Sequence, residues 1–217
     1  MSKKTELIGE IQKFKSAYEV LEKNIRDKRE SGSYTDLGLE QETTRLLNSM
    51  AESIQNTHDR LANLVDRDLE ALENSWKAAT TGHLMEPSYQ GGLAAAIKML
   101  ELEAVTDKRD VMNLIETYQG DYNAMAVLKK VLLNSQNEQL RSYAMEIPKD
   151  YRGDTRRLLG SLHRNIDEHI NIYAVAEAVK GQDQGFTSLS LALEGMIIFV
   201  RDRLGDDLQV QEWQQES

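Results

Sequence analysis

Six apolar residues, Leu7, Ile11, Phe14, Tyr18, Leu21 and Ile25, recur near the start of the chain at alternating spacings of four and three. That is a heptad seam, the stripe an α-helix offers when it lies along another helix. A chain that opens this way must supply a second helix for the seam, from its own sequence or from a partner. The rest of that helix's surface goes to water.

The seam predicts a first helix over residues 5–29. The polar stretch Glu30-Ser31-Gly32-Ser33-Tyr34-Thr35-Asp36 reads as a turn, with Ser33, Thr35 or Asp36 available to cap the next helix. A second helix is expected over residues 37–79, with Gly82 just beyond its end. A connection this short makes the two helices antiparallel neighbours. With the turn centred near Ser33, residue i of the first should face residue 66 − i of the second.

The second helix does not repeat the heptad. Met50, Leu61 and Leu72 form one row and Ile54, Val65 and Trp76 another, each with a period of eleven. Such a period favours a straight or slightly right-handed path, where the heptad favours a left-handed one. The first helix should also run out before Leu61, Leu64, Val65, Leu69, Leu72 and Trp76. Leaving those six in water would cost on the order of 10 kcal/mol, at roughly 1.5–3 kcal/mol each. Other parts of the chain are expected to cover them.

Beyond a loop at residues 82–92, holding Pro87 and Gly91-Gly92, shorter helices are expected at 93–105, 107–118 (capped by Thr106) and 121–133, with continuation to 145 left open. A long helix at 154–179 should carry Leu158, Leu159, Leu162, Ile166, Ile170, Tyr173 and Val179 on one face. Thr187 should cap a last helix ending near Leu204. That helix, apolar on more than one face from Leu189 to Val200, suits a core or a subunit contact. The expected fold is therefore all-α: an N-terminal antiparallel, coiled-coil-like hairpin arm, residues 5–80, packed on a multi-helix bundle, residues 88–204. A flexible acidic tail is expected at residues 205–217, with Trp213 its only large apolar group.

Composition removes several chemistries. With no cysteine among 217 residues, disulfides, thiol catalysis and cysteine-held zinc are excluded. Ferritin-like metal sites need Glu three residues before His, and the residues at that spacing from His58, His83, His163 and His169 are Gln55, Thr80, Gly160 and Ile166. His163 and Asp167 stand one turn apart, as metal ligands or as an ordinary surface pair. Phosphate-loop, zinc-protease and nucleophile-elbow motifs are absent from the sequence. No catalytic, cofactor-binding or metal-binding residue is assigned, and no enzyme activity is expected.

A net charge of −10 opposes nonspecific binding to nucleic acid or anionic lipid. Arg152, Arg156, Arg157 and Arg164 form the one basic concentration, diluted by Asp150 and Asp154. Arg152-Gly153-Asp154 spells an adhesion tripeptide, read as chance. The run from Leu189 to Val200 contains Glu194 and is too short to span a bilayer. Met1-Ser2-Lys3-Lys4 leads straight into amphipathic helix, so no signal peptide is expected. These features suggest a non-enzymatic assembly or adaptor protein, self-associating or bound to another protein. Its expected place is the cytoplasm or an assembly built there, such as a virion, of bacterial or phage type. The expected contacts are Leu7, Ile11, Phe14, Tyr18, Leu21 and Ile25, with Leu61, Val65, Leu69, Leu72 and Trp76. The alternatives are an acidic inhibitor or immunity-type protein on a basic surface, and a nucleic-acid-associated factor using the arginine face.

Overall fold

A computed structural model of the chain describes residues 2–81 and 86–210, and its fold is all-α, with 82% of the described residues in helices. Among the described residues the elements are α1 (Lys3–Glu30), α2 (Asp36–Thr81), α3 (Pro87–Glu101), α4 (Lys108–Glu116), α5 (Tyr122–Asn134), α6 (Glu138–Tyr143), a 3-10 turn (Ala144–Glu146), α7 (Arg152–His169), α8 (Ile172–Lys180) and α9 (Gln182–Arg203). They divide into two compact units: residues 1–69 with 151–217, and residues 70–150. This partition runs across the expected arm at 5–80 and body at 88–204. The last three helices belong with α1 and the first part of α2.

The first unit holds α1, the first part of α2, α7, α8 and α9, and cross-helix pairs set the directions of four of them. Lys3 with Asp68 (3.1 Å), Glu10 with Arg60 (3.1 Å) and Lys28 with Glu42 (3.0 Å) make α1 and α2 antiparallel. Lys15 with Glu194 (3.3 Å) and Arg26 with Asp183 (3.2 Å) make α1 and α9 antiparallel. His58 with Asp167 (3.0 Å) and His163 with Asp66 (3.3 Å) do the same for α2 and α7, and α7 lies against α9. These four run up-down-up-down, a common way to bury one stripe from each helix, and α8 packs on α9 beside them.

The seam is buried in this unit. Leu7, Ile11, Phe14, Tyr18, Leu21 and Ile25 are all at most 5% exposed. α9 lies closely along α1. Tyr18 shows what α9 contributes: its ring meets that of Phe186 at 6.1 Å, and its hydroxyl donates to the Phe186 carbonyl at 3.2 Å. Burial raises the phenol's pKa well above its usual value. The guanidinium of Arg26 stacks 5.8 Å from the Phe186 ring centre, a geometry that suits a planar cation. The partner for the seam is thus a helix more than 150 residues away in sequence, in addition to the adjacent one.

Several boundaries differ from expectation, each for a local reason. The turn after α1 is closed by Gly32 in the left-handed region (φ +62°), and Thr35 caps α2, its Oγ1 accepting from the Gly38 amide at 3.1 Å. The expected helix 154–179 is two helices. Asn171 divides it: its side-chain oxygen caps Ala174 N at 2.8 Å while its amide nitrogen donates back to the Asp167 and Glu168 carbonyls. Tyr173, expected on the buried face, is consequently 80% exposed. α9 starts at Gln182, five residues before Thr187. A left-handed Gln182 (φ +53°) turns the chain, and Gly185 lies so close to the Ala178 backbone that a Cβ there would collide with it.

Residues 205–210, expected to be part of a flexible tail, are ordered. Leu204 pairs with Val210, Leu208 is buried, and the Val210 amide donates to Thr155 Oγ1 at 3.1 Å. Trp213 and the rest of that tail lie outside the described residues, as does the expected stop at Gly82.

The second unit holds its own core, centred on Leu100, Val111, Ile115, Leu128, Leu132 and Leu140. Pro87 opens α3 rather than ending a loop, as its fixed φ and missing N–H allow. Gly91 and Gly92, expected to break helical order, are within α3. Gly92 leaves room for the Tyr118 hydroxyl, which an added Cβ would meet at 3.1 Å. Asp107, not Thr106, caps α4. Asp121 caps α5 and takes the Tyr89 hydroxyl at 3.0 Å, and burial together with that carboxylate pushes the Tyr89 phenol up to about 12. α5 stops at Asn134 instead of continuing to 145, because Glu103 accepts from Ser135 Oγ (2.7 Å) and from Asn137 N (3.1 Å) and fixes a corner there.

Candidate interaction surface

The expected contact residues are already used by the fold. All six seam residues are closed off inside the first unit, so another protein reaches them only by displacing a helix. On α2, Leu61, Leu64 and Val65 are buried, Leu69 is half-buried, and Leu72 and Trp76, which belong to the second unit, are buried as well. The requirement that these side chains be covered is met within the chain.

Exposed apolar surface lies elsewhere on the same helix. From Asp36 to Ser53 no residue of α2 is fully buried. Yet this stretch carries Leu39, Leu46, Leu47 and Met50, all partly exposed, and Leu37, which is 63% exposed. Tyr34, 42% exposed, stands close to Leu37 in sequence at the hairpin turn. The positions 39, 46, 50 and 54 keep the spacing of one helix face, and burial begins at Ile54. That row, read from its first member, is the signal in the sequence that the eleven-residue pattern starting at Met50 obscured.

The electrostatics of this stretch are acidic. Asp36, Glu40, Glu42 and Glu52 stand against a single cation, Arg45. Glu42 is committed to the fold: Arg45 binds it through two nitrogens, at 2.7 and 2.8 Å, and Lys28 reaches it from α1. Those two cations hold its carboxyl at about 2, Arg45 contributing most. Asp36, Glu40 and Glu52 remain to set the sign of the surface. Farther along, Glu10 and Arg60 enclose a polar groove with Ser49, Glu52, Ser53, Asn56 and Thr57 between α1 and α2.

The other expected sites do not assemble. Arg157 is bound to Asp154 at 3.0 Å, and Arg164 turns back to the Gly160 carbonyl and Ser161 Oγ of its own helix. Arg152 and Arg156 also have partners. His163 and Asp167 pair at 3.2 Å, as their spacing allows, and across the interface they meet Asp66 and His58. No group of three or more His, Asp, Glu or Cys among the described residues has a geometry that could hold a metal ion. Among them too, no helix is long and apolar enough to cross a membrane. No protein family model, no curated protein and no solved structure matches this chain.

Proposed function

We propose that this protein is a non-enzymatic assembly or adaptor protein that acts through protein contacts made along the outer part of α2, residues 34–53. One observation carries the reading. A single continuous helix buries its apolar row from Ile54 onward and leaves the same row half-covered before it. Half-covered leucines gain more by completing their burial on a partner than fully buried or scattered ones would.

The chemistry of the surface selects the partner. An apolar row flanked by Asp36, Glu40 and Glu52 suits an amphipathic helix with lysine or arginine beside its apolar stripe. A second copy of the chain would bring the same carboxylates face to face, so the contact is heterotypic. The place of action is the cytoplasm or an assembly built there. The acidic-inhibitor reading shares this chemistry and differs only in what the partner does once bound.

The test is recovery of a partner by the intact chain, compared with Leu46→Glu and Leu47→Glu, alongside mass measurement by light scattering. The proposal requires a partner held by the native chain, released as ionic strength rises and lost in both variants while each remains folded. A strict monomer that recovers no partner contradicts it.

A further inference from the structure

The residues joining α2 to α7 form a connected chain of their own. His58 Nδ1 lies 3.0 Å from Asp59 Oδ1, and its Nε2 lies 3.0 Å from Asp167 Oδ1. The other oxygen of Asp167 meets His163 Nδ1 at 3.2 Å, and His163 Nε2 lies 3.3 Å from Asp66. Gln55 completes one end by donating to Asp59 at 2.8 Å. Every ring nitrogen therefore faces a carboxylate oxygen. A carboxylate only accepts, and a neutral imidazole has a single N–H, so only the doubly protonated ring can donate on both sides.

We propose that His58, held between Asp59 on its own helix and Asp167 on α7, is a pH-operated clamp that fastens α2 in the bundle when protonated and loosens it when neutral. On losing its proton, His58 keeps one N–H, so one of its two carboxylates faces a nitrogen lone pair instead of a donor. His163 extends the clamp by holding the second oxygen of Asp167 and reaching Asp66. The other charged groups at hand do not replace it. Arg60 is turned toward Glu10 of α1 at 3.1 Å, Lys13 is bound to the same Glu10, and Arg164 is bound to its own helix. The bond to Asp59 is the largest influence raising the pKa of His58 above its ordinary value; partial burial opposes it and Asp167 reinforces it.

A raised pKa gives a contribution to stability that is complete below about 6.5, the ordinary imidazole value. It is lost as pH rises through the folded-state value. The consequence reaches the proposed docking surface, because Ile54 and His58 lie one turn apart, where the buried part of α2 begins. Loosening there frees the half-covered stretch ahead of it.

Imidazole titration by NMR on the intact chain tests this, with His58→Gln to assign the resonance. The clamp requires a His58 midpoint above that of free imidazole side chains, both ring nitrogens protonated on its acid side, and a urea midpoint for the native chain that falls across the same pH range. In His58→Gln the fall should largely disappear, and Asp167→Asn should lower the His58 midpoint. A His58 that titrates at or below the ordinary value, or an unchanged pH dependence in His58→Gln, overturns the proposal. Through-bond correlation of ring to backbone assigns His58 in the native chain independently, so its titration decides even if a variant fails to fold. Neither result depends on whether a partner binds α2, so failure of the clamp and failure of the docking surface are separately visible.

Discussion

The two parts of α2 within the first unit share a backbone and an apolar row, and they differ in what surrounds them. From Ile54 to Val65 the row is closed in at Ile54, Leu61, Leu64 and Val65. There the helix is tied to α1 through Arg60 and to α7 through His58, with Asp66 adding a second tie just beyond. Between Asp36 and Ser53 the tie to α1 is Lys28 with Glu42, a surface pair of the kind that adds little net stability in water. An amphipathic pattern states which face a helix wants to bury. Whether that face is buried depends on how far the neighbouring helices reach.

Truncating a leucine in each part should separate them most widely. Leu61→Ala should destabilise the protein by about 2–5 kcal/mol, as expected for a fully enclosed leucine. Leu47→Ala should cost about 1 kcal/mol, since part of its surface is already wet. Denaturant midpoints measure both, and equal losses would erase the distinction.

A loss of about 1–3 kcal/mol is expected for Gly185→Ala, measured in the same way. The added methyl has no room against the Ala178 backbone and must push α8 from α9. Such a loss would show the α9 side of the unit to be closely packed where outer α2 is open. Smaller still is Leu37→Glu, within about 0.5 kcal/mol of the native chain for so exposed a side chain.

The least effect at neutral pH belongs to Glu42→Gln. Its depressed pKa means that its contribution is present above about 4.5, the ordinary carboxyl value, and is lost as pH falls toward about 2. Because the pair lies at the surface, the native chain's small advantage over the variant should be constant above about 4.5, vanish as pH falls toward about 2, and fade with added salt.

Much of this architecture was legible, and the failures share a cause. The seam residues are buried where their spacing said they would be, the turn at 31–35 is capped by one of the three candidates, and α1 and α2 are antiparallel. Even the register came close: Glu10, expected opposite residue 56, meets Arg60. What could not be read was α9 as a neighbour of α1, because periodicity names a face and not the distant element that covers it. The division of 154–179 was legible in principle, since Asn171 is a strong capping residue, but an unbroken apolar period masked it. The same happened at the surface. Met50 read as part of a core row by spacing, and only the reach of the other helices shows it half-covered.

Outer α2 is the surface left for others only if the α1 seam is satisfied inside one molecule by α9. With no native cysteine, Lys15→Cys with Glu194→Cys makes a clean pair for a short bifunctional thiol reagent, and Glu10→Cys with Arg60→Cys serves as the α1–α2 control. Both pairs should give internally bridged monomers at high dilution. Bridging of the 15/194 pair only between molecules, with the control still bridging internally, would mean that the seam finds its partner in another chain, and the assignment of α9 to it would fall.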